Sequence, residues 1–198
     1  MQVWRCEGGL VSGGHFIVIE GIDGSGTTTQ CSILADRFID KGLSAHPTRE
    51  PSDGPIGVLI RQVLTGRVVV PSREGVRPPG WATMATLFAS DRLDHLEAEI
   101  LPNLDNGITV ICDRYDYSSV AYQTVSGGGG DEVSTWVRSG SPELYEVDEM
   151  QVELARFYAK IDELFPSDTI RHIDANCGVE GVTTAIWSEV MALRGESV

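Results

Sequence analysis

Lysine is scarce in this chain of 198 residues, which contains only Lys41 and Lys160. Lysine and arginine together number 15 against 29 acidic residues, which gives a formal net charge of −14. Nucleic acids and anionic membrane surfaces select a basic face, so this charge argues against both as partners. An acidic protein that binds small phosphates must gather its donors locally, from backbone N–H groups, a few arginines and a divalent metal.

Cysteines and long apolar runs are also few. The four cysteines lack CxxC spacing, which argues against a zinc site or disulfide framework and favours reduced thiols in a cytoplasm. No apolar run approaches the roughly 20 residues that cross a bilayer. Residues 1–14 contain several glycines and no stretch of signal-peptide length. We therefore expect a flexible leader over 1–14 and a single domain over 15–198.

Short apolar runs alternate with helical patterns along the chain. The runs predict strands, and the patterns with 3.6-residue spacing predict helices. The predicted strands cover 15–20, 44–49, 108–112 and 169–173. The predicted helices cover 27–41, 56–64, 81–104, 117–124, 147–165 and 179–193. We expect a break or kink in the third helix at Pro102. Residues 65–80 hold three prolines and three glycines and predict an exposed loop. This order indicates an α/β three-layer sandwich around a mostly parallel sheet.

A glycine-rich string, GIDGSGTT at 21–28, lies between the first predicted strand and the first predicted helix. Its glycines allow a tight turn, and successive backbone N–H groups can converge on an anion at the positive helix end. The Thr28 hydroxyl occupies the magnesium position of the motif. Thr27 stands where the motif has a lysine that neutralises transition-state charge. The predicted phosphate-binding residues are Gly21, Gly24, Ser25, Gly26, Thr27, Thr28 and Thr29, and a plain strand-to-helix turn is the alternative.

Several segments of the chain resemble thymidylate kinases. HFIVIEGIDGSGTTTQ resembles the first strand and phosphate loop of the family, and TREPSDGPIGVLIRQVL its second strand and the following helix. LFASDR and DRYDYSSVAYQ resemble its central block, and ELYEVDEMQ and IRHIDANCGVEGVTTAIWSEV its C-terminal part. The resemblance implies a P-loop nucleoside monophosphate kinase-like fold. It also implies transfer of the γ-phosphoryl group from ATP to dTMP with Mg²⁺, and a homodimer.

The resemblance implies a dTMP pocket. Asp23 is expected near the sugar 3′-hydroxyl, while Arg49 and Arg114 hold the acceptor phosphate, a bidentate task that suits guanidinium. Phe88 is expected to stack on thymine, and Arg92 to donate to a thymine carbonyl. The other implied pocket residues are Ser119 at the polar edge of the base, Tyr122 against the 2′ position, and Gln123 supporting that wall.

For the donor nucleotide, the resemblance implies that Asp113 orients Mg²⁺ and that Asp174 and Ala175 lie near adenine. The implied catalytic residues are Asp23, Arg49, Asp113 and Arg114. Simpler alternatives stay open at this stage: Phe88 as core, Asp113 with Arg114 as a structural ion pair, and Asp23 as a helix cap. Arg61 is treated as a solvated helix charge and is left out of the predicted site.

The sequence departs from the family pattern between 124 and 142. The family has a helix, a buried strand and a basic lid there, whereas this chain has a glycine joint at 127–130, room for a helix at 132–138, and Arg138. We expect a sheet that is one strand short, with 169–173 moved beside the first strand. The alternative is an edge that is imperfectly covered or completed by a second chain.

Loss of the lysine and the lid together predicts slow transfer. The alternative function is a nucleotide-binding protein that no longer turns over, and a weaker one is a kinase for a nucleoside or another nucleotide.

Overall fold

A computed structural model of the chain describes residues 2–7, 14–128 and 148–195. The strands are β1 Gln2–Glu7, β2 Phe16–Gly21, β3 Ala45–Arg49, β4 Val70–Ser72, β5 Gly75–Arg77, β6 Thr109–Asp113 and β7 Ile170–Ile173. The helices are α1 Thr27–Asp40, α2 Pro55–Leu64, α3 Trp81–His95, α4 Leu101–Asp105, α5 Asp116–Gly128, α6 Asp148–Tyr158, α7 Ile161–Leu164 and α8 Gly178–Arg194. A π-helical turn, Leu96–Ile100, joins α3 to α4, and a 3₁₀ turn, Ala175–Cys177, precedes α8.

The main sheet has five strands in the order β3-β6-β2-β1-β7. β6 lies between β3 and β2 and is parallel to both. β1 is antiparallel to its two neighbours, β2 and β7, so β7 runs in the same direction as β2. Only β1 opposes the common direction, and the predicted α/β fold with a mostly parallel sheet is confirmed.

Helices cover both faces of this sheet because successive side chains of β2 alternate between them. Ile17 and Ile19 pack with α1 and α8 on one face, where Phe38 and Trp187 meet edge to face at 5.7 Å. Phe16 and Val18 point to the other face and pack against Ile100 and Leu104. A strand that is buried on both faces needs the continuous apolar run found at 16–19.

The N-terminal segment corrects two expectations. Residues 1–14 were expected to be a flexible leader, but Gln2–Glu7 form β1, which pairs with β2 along its whole length and with β7 over four residues. The sheet was also expected to lack a strand or to be completed by a second chain. Instead β1 of the same chain lies between β2 and β7, so the sheet is not a strand short. The residues that pair with β1 are 9 to more than 160 positions away in sequence. Local sequence patterns therefore do not reveal this pairing.

Three further boundaries differ from the prediction. The loop expected at 65–80 contains the hairpin β4–β5, whose exposed strands offer no buried pattern. The helix expected at 81–104 is continuous through Pro102, because a π-helical turn precedes α4 and the proline lies in the first turn of α4, where its missing N–H is tolerated. The helix expected at 147–165 is divided into α6 and α7. The joint at 127–130 begins within the end of α5, and the helix expected at 132–138 lies outside the described residues.

Candidate active site

The parallel strands bring three predicted site segments to one edge of the sheet. Arg49 and Asp113 are paired at the carboxyl ends of β3 and β6, and Asp113 is also in register with Ile19 near the end of β2. The glycine-rich loop leaves β2 directly after this point. Ligands of open α/β sheets bind outside the carboxyl ends of the strands, and this edge carries the candidate site.

The glycine-rich loop has the backbone of an anion-binding turn. Gly24 and Gly26 adopt left-handed backbone angles, with φ of 74° and 88°, and α1 begins at Thr27. Gly26 is the N-cap of α1, and no side chain caps the helix. The first N–H groups of α1 are therefore not occupied by a capping side chain, and Asp23 is not the helix cap considered as an alternative. The Thr27 side chain is buried, with the residue 5% exposed.

Thr28 and Asp113 meet across the base of this loop. The Thr28 hydroxyl donates to Asp113 Oδ2 at 2.5 Å. Asp113 is buried, and its Oδ1 has no hydrogen-bond partner among the described residues. A buried carboxylate oxygen without a partner is costly unless a donor or cation reaches it. The pair therefore fits Mg²⁺, to which Asp113 would offer a carboxylate oxygen and Thr28 a hydroxyl oxygen.

Asp23 is the centre of a second polar cluster. Arg114 Nη2 donates to Asp23 Oδ1 at 2.6 Å, and Tyr122 Oη and Gln151 Nε2 donate to Asp23 Oδ2 at 2.9 and 2.7 Å. The Asp23 amide donates to Gln151 Oε1 at 3.0 Å, so α6 clamps the loop at this residue. Asp113 and Arg114 thus bond to different partners, which disfavours the structural ion pair between them that was considered from the sequence.

The electrostatics of this cluster favour a fixed positive charge. Burial acts to lower the pKa of Arg114, but nearby Tyr122 and Asp23 outweigh it and raise that pKa above its ordinary value. Burial also raises the pKa of Tyr122, with Asp23 adding to the effect, so its hydroxyl stays protonated at neutral pH. Arg114 is the one non-glycine residue with positive φ among the described residues, at 68°. Such a conformation is uncommon outside glycine and concentrates at functional sites.

A cavity of about 320 Å³ opens beside this cluster and brings together most of the residues predicted to bind dTMP. The predicted residues that line it are Asp23, Arg49, Phe88, Asp113, Arg114, Ser119, Tyr122 and Gln123. The other residues that line the cavity were not part of the predicted site and are Glu50, Pro51, Arg61, Leu64, Trp81, Met84, Ala85, Tyr115 and Ser118. Phe88 both lines the cavity and packs on the core cluster of α2 and α3, so the two interpretations of this residue combine.

Arg92 is not one of the residues that line the cavity. It lies behind three that do: its Nη2 donates to Glu50 Oε2 at 2.7 Å, to the Tyr115 carbonyl at 2.9 Å and to Ser119 Oγ at 2.5 Å. Its guanidinium carbon also lies 4.9 Å from the centre of the Tyr115 ring, a cation–π contact. The side chain is 20% exposed, so Arg92 is held at the boundary between the helix layer and the cavity.

Arg61, which the sequence analysis left out, fixes the loop that follows β3. Its Nη2 donates to the Ser52 carbonyl at 2.7 Å and to Asp53 at 2.9 Å, and Arg49 also donates to Asp53, at 2.8 Å. The hydrogen bond from Arg49 is the main cause that lowers the pKa of Asp53. Arg61 is therefore more than a solvated helix charge. The short spacing between TREP and the arginine of α2 is a sequence signal for a contact between them. It does not show that the arginine folds back onto the loop after β3.

The Ser52 backbone is fixed from the opposite side by α3. Asp91 accepts from the Ser52 amide at 2.7 Å and from the Ser52 hydroxyl at 2.6 Å, and both residues are 1% exposed. A Cβ atom on Gly57 would lie 2.0 Å from the Ser52 carbonyl oxygen, so only glycine allows α2 to approach this closely. The loop carrying Glu50 and Pro51 into the cavity is rigidly held.

Glu20 holds α5 in place from within β2. It is fully buried and accepts from the Tyr115 amide at 2.7 Å, the Ser118 amide at 3.2 Å and the Tyr158 hydroxyl at 2.9 Å. Burial raises the pKa of Glu20, and hydrogen bonds from the Ser118 hydroxyl and the Tyr115 and Ser118 amides only partly oppose that effect. A carboxyl group at the N-terminus of α5 satisfies its first amides and orients the helix that carries Ser119, Tyr122 and Gln123.

Asp174 and Ala175 lie outside the cavity, on the exposed turn after β7. Asp174 Oδ1 accepts from the Asn176 amide at 3.0 Å and caps the 3₁₀ turn. That turn leads into α8, whose first turn contacts α1 through Gln30, which donates to the Val179 carbonyl at 3.1 Å. The two residues therefore follow the edge strand opposite β3, the strand that ends at Arg49.

A phosphate loop at a sheet edge, a hydroxyl–carboxylate pair behind it and an arginine-lined cavity beside it define the P-loop nucleoside monophosphate kinase class. The sequence profile of the family described as Thymidylate kinase matches residues 19–164. A probable thymidylate kinase of Pyrococcus horikoshii is 35% identical over 205 residues, which cover 91% of this chain and 95% of that protein. The chain belongs to the thymidylate kinase family.

Two other thymidylate kinases are similar to this chain, one in sequence over part of its length and one in structure over almost all of it. A probable thymidylate kinase of Methanocaldococcus jannaschii is 46% identical over 114 residues, 57% of this chain and 51% of that protein. A solved structure of thymidylate kinase from Candida albicans superposes with a TM-score of 0.68 at 23% identity, covering 97% of this chain and 93% of that one, and shows the shared fold. The Pyrococcus alignment, at 205 residues, exceeds the 198 of this chain, so that relative contains residues this chain does not have.

Proposed function

We propose that this chain phosphorylates dTMP to dTDP with ATP as the phosphoryl donor, as its membership of the thymidylate kinase family indicates. The observation that carries the proposal is the cavity in which Phe88, Tyr122, Arg49 and Arg114 meet beside the phosphate loop. A cavity of about 320 Å³ with an apolar wall and a few convergent polar groups is of the size and kind that binds a small molecule.

The acceptor nucleotide is proposed to lie with its phosphate between Arg49 and Arg114 and its base against Phe88. Two guanidinium groups at the sheet edge can each donate two parallel hydrogen bonds to a phosphate. The cavity wall has an apolar side and a polar side, which supports this orientation. Leu64, Met84 and Phe88 form the apolar side. Catalysis in such a site comes from alignment and electrostatic stabilisation, and no covalent intermediate is needed.

Selection of deoxyribose is proposed to depend on Tyr122. Its hydroxyl is fixed by Asp23 at 2.9 Å and lies 3.4 Å from Arg114 Nη1. A ring held at this position leaves little room for a 2′-hydroxyl, and Asp23 remains close enough to the sugar to accept from a 3′-hydroxyl. Gln123 lines the same wall of the cavity.

The donor side is proposed to bind ATP through the backbone of residues 21–29, with Asp174 and Ala175 toward the adenine. Thr28 and Asp113 are proposed to hold Mg²⁺. The described residues contain no group of three or more acidic, histidine or cysteine side chains that could bind a metal alone. The chemistry supplied by Mg²⁺ at this position would be neutralisation of part of the phosphate charge. The chain supplies the anion-binding amides, the Thr28 hydroxyl and the Asp113 carboxylate.

A nucleotide-binding protein without turnover is the second candidate, and Thr27 is the observation that favours it. A buried threonine can donate a hydrogen bond, but it does not supply the positive charge of the lysine of the motif. The single arginine of the 124–142 interval, Arg138, lies outside the described residues. We therefore propose that transfer is slower than in relatives with the lysine.

Coupled measurement of ADP release separates the two candidates. With ATP, Mg²⁺ and dTMP, the enzyme proposal expects ADP release well above the rate without dTMP. Calorimetric binding of dTMP together with no dTMP-dependent ADP release would instead establish the binding protein. Absence of both would reject the cavity as a dTMP site.

Assembly and location are also proposed. None of the helices in the described part of the chain is long and apolar enough to span a membrane. We propose a cytoplasmic homodimer without nucleic acid or membrane partners. Exposed apolar side chains on α2, α3 and α5 support a protein interface, namely Val58, Leu59, Leu93 and Val120. Sedimentation at micromolar concentration tests it, and a monomer mass would reject the dimer.

A further inference from the structure

The guanidinium group of Arg92 is fixed along one side only. Its Nε and Nη2 donate to Glu50 Oε2 at 3.0 and 2.7 Å, and Nη2 also reaches Tyr115 and Ser119. No described residue accepts from Nη1. A guanidinium donates in one rigid plane, so fixing Nε and Nη2 also fixes the direction of the Nη1 hydrogens.

The anchor of this side chain is a carboxylate that is itself almost completely buried. The Glu50 side chain is 4% exposed, and the residue lines the cavity. A buried carboxylate is stable only when its oxygens are paired. Arg92 satisfies Oε2, and His95 Nδ1 lies 3.4 Å from Oε1. This contact is a hydrogen bond when the tautomer of His95 carries its proton on Nδ1, because a carboxylate oxygen accepts.

His95 connects the anchor to the sheet. Its side chain is fully buried on α3, and its Nε2 lies 2.8 Å from the Thr48 hydroxyl on β3. Glu99 lies 3.7 Å from the same nitrogen and 2.7 Å from His46 Nε2. The chain of contacts therefore extends from β3 through His95 and Glu50 to the guanidinium behind the cavity wall.

We propose that Glu50 and His95 are positioning residues that hold Arg92 for recognition of the pyrimidine base. The proposal rests on the proposed function, since it assumes that the base lies against Phe88. A flexible arginine loses rotamer freedom when it binds a carbonyl group, whereas an arginine already fixed by Glu50 does not. Glu50 and His95 thereby act through Arg92 and contribute to dTMP affinity without contacting the donor nucleotide.

A double-mutant cycle tests the connection. Arg92→Met, Glu50→Gln and the double variant are compared by calorimetric titration with dTMP and separately with ATP. We expect each single variant to weaken dTMP binding about tenfold or more and to leave ATP binding within about twofold. If Glu50 acts through Arg92, the double variant matches Arg92→Met. Effects that multiply, or equal losses for ATP, overturn the proposal. Glu97→Gln, an exposed change on the π-helical turn, is the matched control.

Two variants of His95 separate positioning from packing. Asparagine can place an amide N–H near the position of His95 Nδ1, so His95→Asn is expected to keep dTMP binding within about threefold of wild type. His95→Leu fills a similar space without a donor and is expected to weaken dTMP binding about as much as Glu50→Gln. Equal behaviour of the two variants would overturn the role of the His95 proton.

Nuclear magnetic resonance of the ligand-free protein distinguishes failure of this inference from failure of the proposed function. In arginine-labelled protein, the Nε–H of Arg92 is expected to give a slowly exchanging signal, identified by its loss in Arg92→Met, that weakens in Glu50→Gln. If the signal is present but wild type binds no dTMP, the proposed function is wrong and the base-recognition role falls with it. If dTMP binds but the signal is absent, the anchor is wrong and the proposed function stands.

Discussion

Arg114 donates to Asp23 at 2.6 Å, which connects the first turn after β6 to the phosphate loop after β2. The two residues are 91 positions apart, yet the contact places a guanidinium beside both the cavity and the loop. Asp23 also accepts from Tyr122 and Gln151, so a single carboxylate orients groups from α5 and α6. Asp23 therefore connects the cavity to the glycine-rich loop.

Replacing Arg114 by lysine is expected to weaken dTMP binding by about 10–100-fold. An ammonium group keeps the charge but cannot make two parallel hydrogen bonds to a phosphate and also reach Asp23. Calorimetric titration with dTMP measures the change. Arg156→Lys on α6, whose side chain is 69% exposed, serves as the control. Unchanged affinity in Arg114→Lys would show that the phosphate lies elsewhere.

Replacing Thr27 by lysine tests whether the missing charge limits the rate. A cation at the phosphates is expected to raise kcat by about 10² or more, since one group that stabilises transition-state charge has an effect of this order. Steady-state ADP release gives kcat. Thr184→Lys, at an exposed position of α8, adds the same charge away from the site and should change nothing. If both variants match wild type, the rate is limited by something other than residue 27.

Removal of the Phe88 ring should weaken binding of dTMP, the proposed acceptor nucleotide, without weakening binding of ATP. Stacking of a base on an aromatic side chain contributes about 1–3 kcal/mol, so Phe88→Ala should weaken dTMP binding by that amount. Binding of ATP should stay close to wild type. Leu93→Ala, on the exposed side of the same helix, controls for changes in α3 stability. Equal loss of both ligands in Phe88→Ala would indicate a folding defect rather than a lost stacking surface.

Stability should depend on pH through Glu20. Because burial raises the pKa of Glu20 above its ordinary value of 4.5, the folded protein retains the proton to higher pH than the unfolded chain. The contribution of this group is fully present below pH 4.5 and is lost as pH rises through the folded pKa, at up to about 1.4 kcal/mol per pH unit. Glutamine at this position can still accept from both amides and donate to Tyr158.

The free energy of unfolding of wild type should therefore decline relative to Glu20→Gln as pH rises above 4.5. Urea denaturation at pH 5, about 6 and about 7 measures the difference. The exposed variant Glu97→Gln should follow wild type throughout. A constant difference between wild type and Glu20→Gln over this range would contradict the raised pKa.

Strand β1 should contribute strongly to stability through its backbone. Val3 pairs with Glu20 on β2 and with His172 on β7, so proline at this position removes a ladder hydrogen bond within the sheet. Val3→Pro is expected to cost about 1–3 kcal/mol more than Val3→Ala in urea denaturation. The alanine variant keeps the N–H and so isolates the backbone effect. Equal stability of the two variants would show that β1 pairing is not maintained in solution.

The parts of this protein with local sequence signals were predictable, and those formed by distant contacts were not. The apolar run at 16–19, the glycine loop and the helical spacing of α1 each follow from a few neighbouring residues. The resemblance placed Arg114, Phe88 and Tyr122 beside one another, and the cavity contains all three. Strand β1 has no such signal, because its position depends on pairing with β7 at the other end of the chain.

The polar supports of the site were also beyond sequence reasoning. Glu50 lies in the quoted TREP segment, but its burial depends on Arg92 and His95, which are brought to it by α3. Arg61 has the spacing of a surface charge on α2 and folds back onto the loop after β3. Such roles depend on the direction of a long side chain, which the order of residues leaves undetermined.

Strand order also sets a distance. With β1 between them, the ends of β2 and β7 are two inter-strand steps apart, about 9.5 Å by the usual spacing in sheets. That gap separates the glycine-rich loop from the Asp174 turn at this edge of the sheet. This separation is set by β1, which pairs with both β2 and β7.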